Sequence, residues 1–244
     1  MNKILLIIIL SFFSINITVA EEVLTFPIYV HIVEIDENIK QAQYEVDSND
    51  NITSSSIKTA PYKTLVTKEI IKKDFLKLNK IWSQANIRFH IRDINFTKSE
   101  TKNFKKYSEL AFKNYDNYSY IDSSLRHLLE IIDHKRHDND RGINAYYVPT
   151  MLADICGAWD NNNNIMIIGY SEEKKFNPNV KLFGKCDRVE TLAHEFGHTV
   201  QLDHSDISQN LMMSTGLDVD MGTNLTKEQI TEARKFMKKV LGLN

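Results

Sequence analysis

The sequence predicts an α+β fold: a mixed, twisted sheet backed by helices, then a small C-terminal part that is mostly loop plus one helix. Two observations support it. Apolar runs of strand character alternate with helical periodicity in the order strand, helix, strand, helix, strand, strand, helix, helix. The 244 residues are 42% hydrophobic and 25% charged, enough to bury a core and too apolar for a disordered chain. The formal net charge of -2 gives no reason to expect nucleic acid or an anionic membrane as a partner.

The first twenty residues stand outside that fold. Asn2 and Lys3 precede an apolar run from Ile4 to Phe13, and Thr18-Val19-Ala20 offers the small residues a signal peptidase needs. Residues 1–20 are therefore expected to be a secretory signal peptide, cut between Ala20 and Glu21. The run is short of the roughly 20 apolar residues that span a bilayer, so no stable membrane association is expected once it is removed. It holds no cysteine for lipoprotein-type processing. The expected address is outside the cell, or the periplasm of a Gram-negative host. Residues 21–244 are expected to form a single domain, with an N-terminal subdomain to about residue 204 and a C-terminal one over 205–244.

Phe26 to Ile35 (FPIYVHIVEI) is rich in β-branched and aromatic residues and reads as a buried strand. Asp36 to Lys63 turns polar, with Asp47 to Asn51 and Ser54 to Ser56 at its centre, and reads as a long surface loop. From Thr67 to Gln84, Ile70, Ile71, Phe75, Leu78, Ile81 and Trp82 form a helical stripe, with Thr67 as N-cap and Glu69 in the first turn. Ile87 to Phe96 alternates Ile87, Phe89 and Ile91 with Arg88, His90 and Arg92, a half-exposed strand. Thr97 to Tyr120 carries no clear period. Ile121 to Arg136 reads as helix and Ile143 to Val148 as strand. Asn161 to Asn164 turns into a short apolar strand, Ile165 to Ile168. Val189 to Gln201 reads as a helix, and Thr226 to Leu241 as another, opened by a Thr226–Gln229 capping box.

Only two cysteines occur, Cys156 and Cys186. In an exported chain such a pair reads as one disulfide, closing a loop of about thirty residues and contributing roughly 3 kcal/mol in the chain-entropy model. Their wide spacing lacks the short CxxC pattern of a thiolate metal site.

The chemistry lies in Thr191 to Ser205 (TLAHEFGHTVQLDHS). On a helix, His194 and His198 are four residues apart, so both imidazoles leave one face and can share one metal ion. Glu195 cannot comfortably join them, but it can take a proton from a water on that ion, the general-base role. Two histidines leave a tetrahedral zinc one protein ligand short. His204, past the helix end, can supply it if the chain turns back; Asp203 is the alternative oxygen ligand.

At these residues the chain resembles the metzincin clan of zinc endopeptidases, whose pattern is HExxHxxGxxH followed by a methionine turn. The match falls on His194, Glu195, His198 and His204. Ser205 to Ser214 (SDISQNLMMS) is similar to the methionine-turn segment of matrixin-like members, which places Met212, or failing it Met213, under the ligands. The clan's glycine is replaced by Gln201. Either Gln201 accepts a left-handed conformation, at roughly 1–2 kcal/mol, or the turn toward His204 takes another path. A downstream glutamate ligand, Glu228 or Glu232, sits in no matching motif.

The resemblance implies a zincin-like fold, one catalytic Zn2+ and a protein or peptide substrate cleaved by a monomeric secreted endopeptidase. It further implies that Ile165, Met166, Ile167, Ile168 and Gly169 form an edge strand to which the substrate adds as an extra strand. Two competing functions are a secreted zinc-binding module without turnover and a zinc hydrolase of non-peptide amides. His31, His90, His127, His134 and His137 read as strand or surface histidines.

Overall fold

The computed structural model describes residues 21–34, 36–46, 52–98, 142–148, 156–160, 165–170, 190–213 and 222–243. Its strands are β1 (Leu24–Glu34), β2 (Asp36–Val46), β3 (Ile52–Lys63), β4 (Ile87–Lys98), β5 (Ile143–Val148), β6 (Gly157–Asp160) and β7 (Ile165–Gly169). Its helices are α1 (Lys68–Trp82), followed by a short 3-10 turn, α2 (Thr191–Thr199) and α3 (Lys227–Leu241). The expected signal peptide, the helix over Ile121 to Arg136 and the Asn161–Asn164 turn lie outside the described residues.

Five strands form the main sheet in the order β4-β1-β5-β7-β6. The first four are mutually parallel, and β6 closes the sheet antiparallel to β7. Parallel strands are covered on both faces, so they read as continuous apolar runs. Every residue of β5 and β7 is buried, as is β1 from Ile28 to Val33. On one face Ile28, Val30, Ile32, Ala145, Tyr147, Met166 and Ile168 meet the helices in the main core. At the edge, β4 alternates as its sequence predicts until Arg92, which has no partner in the β1 register. That bulge reverses the inward face, and so Phe96 is 51% exposed while Thr97 is buried.

α1 starts where its cap predicts: the Thr67 hydroxyl accepts from the Ile70 N–H, with Glu69 in the first turn. Its Trp82 indole N–H donates to the Ala193 carbonyl at 3.1 Å, and Trp82 and Phe89 each pack edge-on against Phe196. These contacts dock α2 onto α1 and the sheet. α3 carries the full Thr226–Gln229 capping box and ends at Gly242, whose φ of 72 is the left-handed conformation of a helix C-cap.

The surface loop expected over Asp36 to Lys63 is a correction. β2 and β3 pair antiparallel from Asp36↔Lys63 to Val46↔Ile52. Hairpin pairing uses the backbone, whereas a polar strand shows no apolar alternation to reveal it. β6, four residues opened by a glycine, was likewise too short to show a period. The expected disulfide pairs Cys156 with Cys186, and Cys186 lies outside the described residues. No helix among the described residues is long and apolar enough to cross a membrane.

One of the buried polar groups makes stability depend on pH. Asp74 of α1 is 6% exposed and accepts a hydrogen bond from the Tyr147 hydroxyl at 2.9 Å. Burial pushes its carboxyl up to about 7, against the opposing pull of the Tyr147 bond. A raised folded-state pKa means that stability from this group is fully present below the unfolded value. It is lost as pH rises through about 7. The full swing is about 4 kcal/mol. Asp74→Asn keeps an acceptor for Tyr147 without a charge. In urea unfolding with chelator present, it should exceed the wild type in stability at pH 8 and match it near pH 4. A variant less stable than wild type at pH 8 would contradict this account.

Candidate metal centre

α2 is a nine-residue helix with eight buried residues, Thr191 to Gly197 and Thr199. His194 and His198 lie one turn apart on the same face. The helix ends in a Schellman arrangement: Leu202 N–H donates to the Gly197 carbonyl at 3.0 Å and Gln201 N–H to the His198 carbonyl at 3.0 Å. The left-handed position of this motif is Gln201, at φ 66. Of the two paths open from sequence, Gln201 takes the first and occupies the glycine conformation itself, at a cost of about 1–2 kcal/mol.

That reversal brings His204 back beside the helix. One ligand nitrogen from each of His194, His198 and His204 lies within 4.8 Å of the others, and among the described residues neither Asp203 nor a glutamate joins them. Ring centroids are 4.8 Å apart for His194–His198, 5.4 Å for His194–His204 and 4.7 Å for His198–His204.

Backbone carbonyls set the tautomers. His194 Nδ1–H donates to the Leu211 carbonyl at 2.7 Å, and His198 Nδ1–H to the Leu202 carbonyl at 3.0 Å. A carbonyl only accepts, so each Nδ1 carries the proton and each Nε2 presents a lone pair. Those two Nε2 atoms face each other at 3.2 Å. Bare lone pairs repel at that distance. Two imidazoles on a tetrahedral zinc, each at about 2.0–2.1 Å, stand about 3.3 Å apart, so the donors fit that ion in type and spacing. Burial, opposed by the Leu211 bond, holds His194 down at about 4, and burial also lowers His198. Both stay neutral, as ligands must.

Glu195 is 6% exposed and leaves the histidine face toward β6, where a Cβ on Gly157 would collide with its carboxyl. Burial pushes that carboxyl up to about 8. On the other side of α2, a Cβ on Gly197 would strike the Met212 sulfur. Met212 is fully buried against the helix, and Met213 is half-buried. Gly157, Gly197 and the Leu202 and Leu211 carbonyls were not foreseen from sequence. Gly197 had a signal: glycine inside a buried helix costs about 1 kcal/mol against alanine and so points to a close approach.

One expectation is overturned. Ile165, Met166, Ile167, Ile168 and Gly169 form β7, which is not an edge strand. Its two sides are taken by β5 and β6, leaving no row of backbone groups for an added strand. Among the described strands, the edge on this side of the sheet is β6. Of the remaining histidines, His31 is buried and bonded to Asn144 while His90 is exposed; His127, His134 and His137 lie outside the described residues. Glu228 and Glu232 sit on α3, apart from the cluster.

Residues 75–205 match the family described as "Metallo-peptidase family M12B Reprolysin-like". No curated protein matches the chain. Among solved structures it is similar to metalloproteinase-II from Bacteroides fragilis, at 12% identity and TM-score 0.44 over 89% of this chain and 55% of that one. It therefore spans little more than half of that protein's length. It is also similar to archaemetzincin from Methanopyrus kandleri, at 13% identity and TM-score 0.47 over 88% and 96% of the two chains. A zinc-dependent peptidase from Methanocorpusculum labreanum matches at 14% identity and TM-score 0.43 over 84% and 99%.

Proposed function

The chain belongs to the reprolysin-like M12B metallopeptidases, and from that premise we propose that it is a secreted zinc-dependent endopeptidase with Glu195 as general base. The observation that carries this reading is the convergence of His194, His198 and His204 within 4.8 Å, with Glu195 buried one residue away. A structural zinc site has no use for a buried carboxylate beside its ligands, which disfavours a binding module without turnover.

A zinc ion held by the three imidazoles would polarise the scissile carbonyl and acidify the attacking water. Glu195 accepts the proton of that water as its oxygen attacks the carbonyl carbon. The same carboxyl then delivers the proton to the amine nitrogen as the C–N bond breaks. Its position under Gly157 supports β6, an outer strand of the sheet among the described residues, as the place where an extended substrate pairs beside the base. Met212 serves as the packing platform under α2, the methionine-turn role, with no bond to metal.

The remaining organisation is proposed with it. Residues 1–20 direct export, 21–204 and 205–244 are the two parts of one catalytic domain, and Cys156 pairs with Cys186. The mature protein, incubated with a denatured protein substrate, should cleave it, lose cleavage to a chelator and regain it with stoichiometric zinc. Cleavage indifferent to the chelator would overturn the proposal.

A further inference from the structure

Met212 lies in a segment whose backbone touches one of the three histidines and the residue that follows another. The Leu211 carbonyl accepts from His194 Nδ1–H, and the Met212 carbonyl accepts at 2.8 Å from the N–H of Ser205, the residue after His204. A buried amide orients the first of these carbonyls; the peptide of the second is held by Met213 N–H, which donates to the Asn210 main-chain carbonyl at 3.2 Å. Asn210, 2% exposed, uses Oδ1 to accept the Met212 N–H at 2.8 Å. Its other contacts run to one residue of α3: Asn210 Nδ2 donates to Gln229 Oε1 at 2.8 Å, and Gln229 Nε2 donates to Asn210 Oδ1 at 3.2 Å.

The orientation of this amide pair is decided at the helix cap. Gln229 Oε1 also accepts the Thr226 N–H at 2.9 Å, and only an oxygen can face that donor. Nε2 must then face Asn210, which turns Asn210 Oδ1 toward Nε2 and the Met212 N–H. Were the Asn210 amide to flip, its NH2 would meet the Met212 N–H donor to donor, and the turn would lose its anchor. A capping box is equally served by Glu or Gln, so the cap does not call for an amide here. Asn210 does.

We propose that Gln229 is a positioning residue for the zinc centre, acting through Asn210 to hold the Leu211–Met212 peptide, whose carbonyl orients His194. The proposal rests on the reading of His194 as a zinc ligand and adds what holds that ligand in place. A buried amide pair on the C-terminal helix thereby tunes metal retention.

Gln229→Glu tests it. The carboxylate keeps an acceptor for the Thr226 N–H and suits a helix N-terminus, but it sets an oxygen against Asn210 Oδ1. In the full mature chain, zinc release into excess chelator should accelerate about 10–100-fold, the range for a lost outer-shell partner. The cobalt(II)-substituted protein should show altered visible bands, while melting of the zinc-free protein stays near wild type. Thr67→Ala, at the start of α1, is the reverse control: it removes a cap hydroxyl outside the Asn210–Gln229 pair, lowers the melting temperature and leaves zinc release unchanged. Wild-type release and cobalt spectrum in Gln229→Glu would overturn the proposal, as would a faster release matched by an equal loss of zinc-free stability. His194→Ala, measured alongside, separates the two readings. If it holds zinc as wild type does, the metal centre itself is misassigned and this inference falls with it; if it loses zinc, a silent Gln229→Glu defeats the positioning role alone.

Discussion

Replacing Glu195 with glutamine should lower kcat on a peptide substrate by about 10³–10⁴-fold, with bound zinc unchanged. A positioned general acid–base contributes roughly 10²–10⁴-fold, and this one carboxyl is asked to move the proton twice, so the upper half of that range applies. Glutamine is the informative choice because it preserves volume. The side chain lies against Gly157, where no Cβ could fit beside it, so Glu195→Ala would also open a void under β6. Burial alone holds the carboxyl up at about 8; a cation in the neighbouring histidine cluster favours its ionised form and brings it into the range of a working base. Stoichiometric zinc by elemental analysis, together with turnover by a fluorogenic peptide, separates the chemistry from metal loss. A glutamine variant within tenfold of wild type would show that another group takes the proton.

The second large effect concerns the ligand that the helix does not carry. His204→Ala should weaken zinc binding by more than about 100-fold, beyond the 10–100-fold typical of losing an outer-shell partner. Asp203→Ala should change it by less than about threefold. The two residues are neighbours, and Asp203 stands near enough to favour protonation of His198, yet only His204 joins the cluster. Competition against a chromophoric chelator measures both. The reverse ranking would place the aspartate in the metal's coordination sphere. His204→Ala should also leave the α2 turn intact, because the Schellman bonds of Gln201 and Leu202 are made by the backbone.

Much of this centre was legible along the chain because its parts are local. The four-residue spacing of His194 and His198 needs only helix geometry, and the caps at Thr67 and Thr226 need only the residues three positions on. The buried strands β1, β5 and β7 announced themselves as apolar runs. The hairpin of β2 and β3 did not. Its pairing runs through backbone groups that every residue carries, and its polar composition on both faces hides the period.

What lay beyond the sequence was decided by contacts between distant segments. The family resemblance made Ile165 to Gly169 the edge strand but could not say that the four residues of β6 would pair outside it and take the edge among the described strands. Strand order follows from long-range hydrogen bonding, which leaves no period in either strand. Gln201 was a sequence-level conflict, a side chain where the turn asks for glycine. It is resolved by tertiary structure, since the return of His204 and the bond from His198 to Leu202 hold the left-handed residue in place. The sequence by itself determined which groups could serve a metal centre: two imidazoles on one helix face and a third six residues on as ligands, and a carboxyl beside the first as base. Only the folded chain decided which way those atoms point. That depends on the carbonyls of Leu202 and Leu211 and on the glycines at 157 and 197. A carbonyl is common to every residue and a glycine has no side chain, so neither declares its role until another segment packs against it.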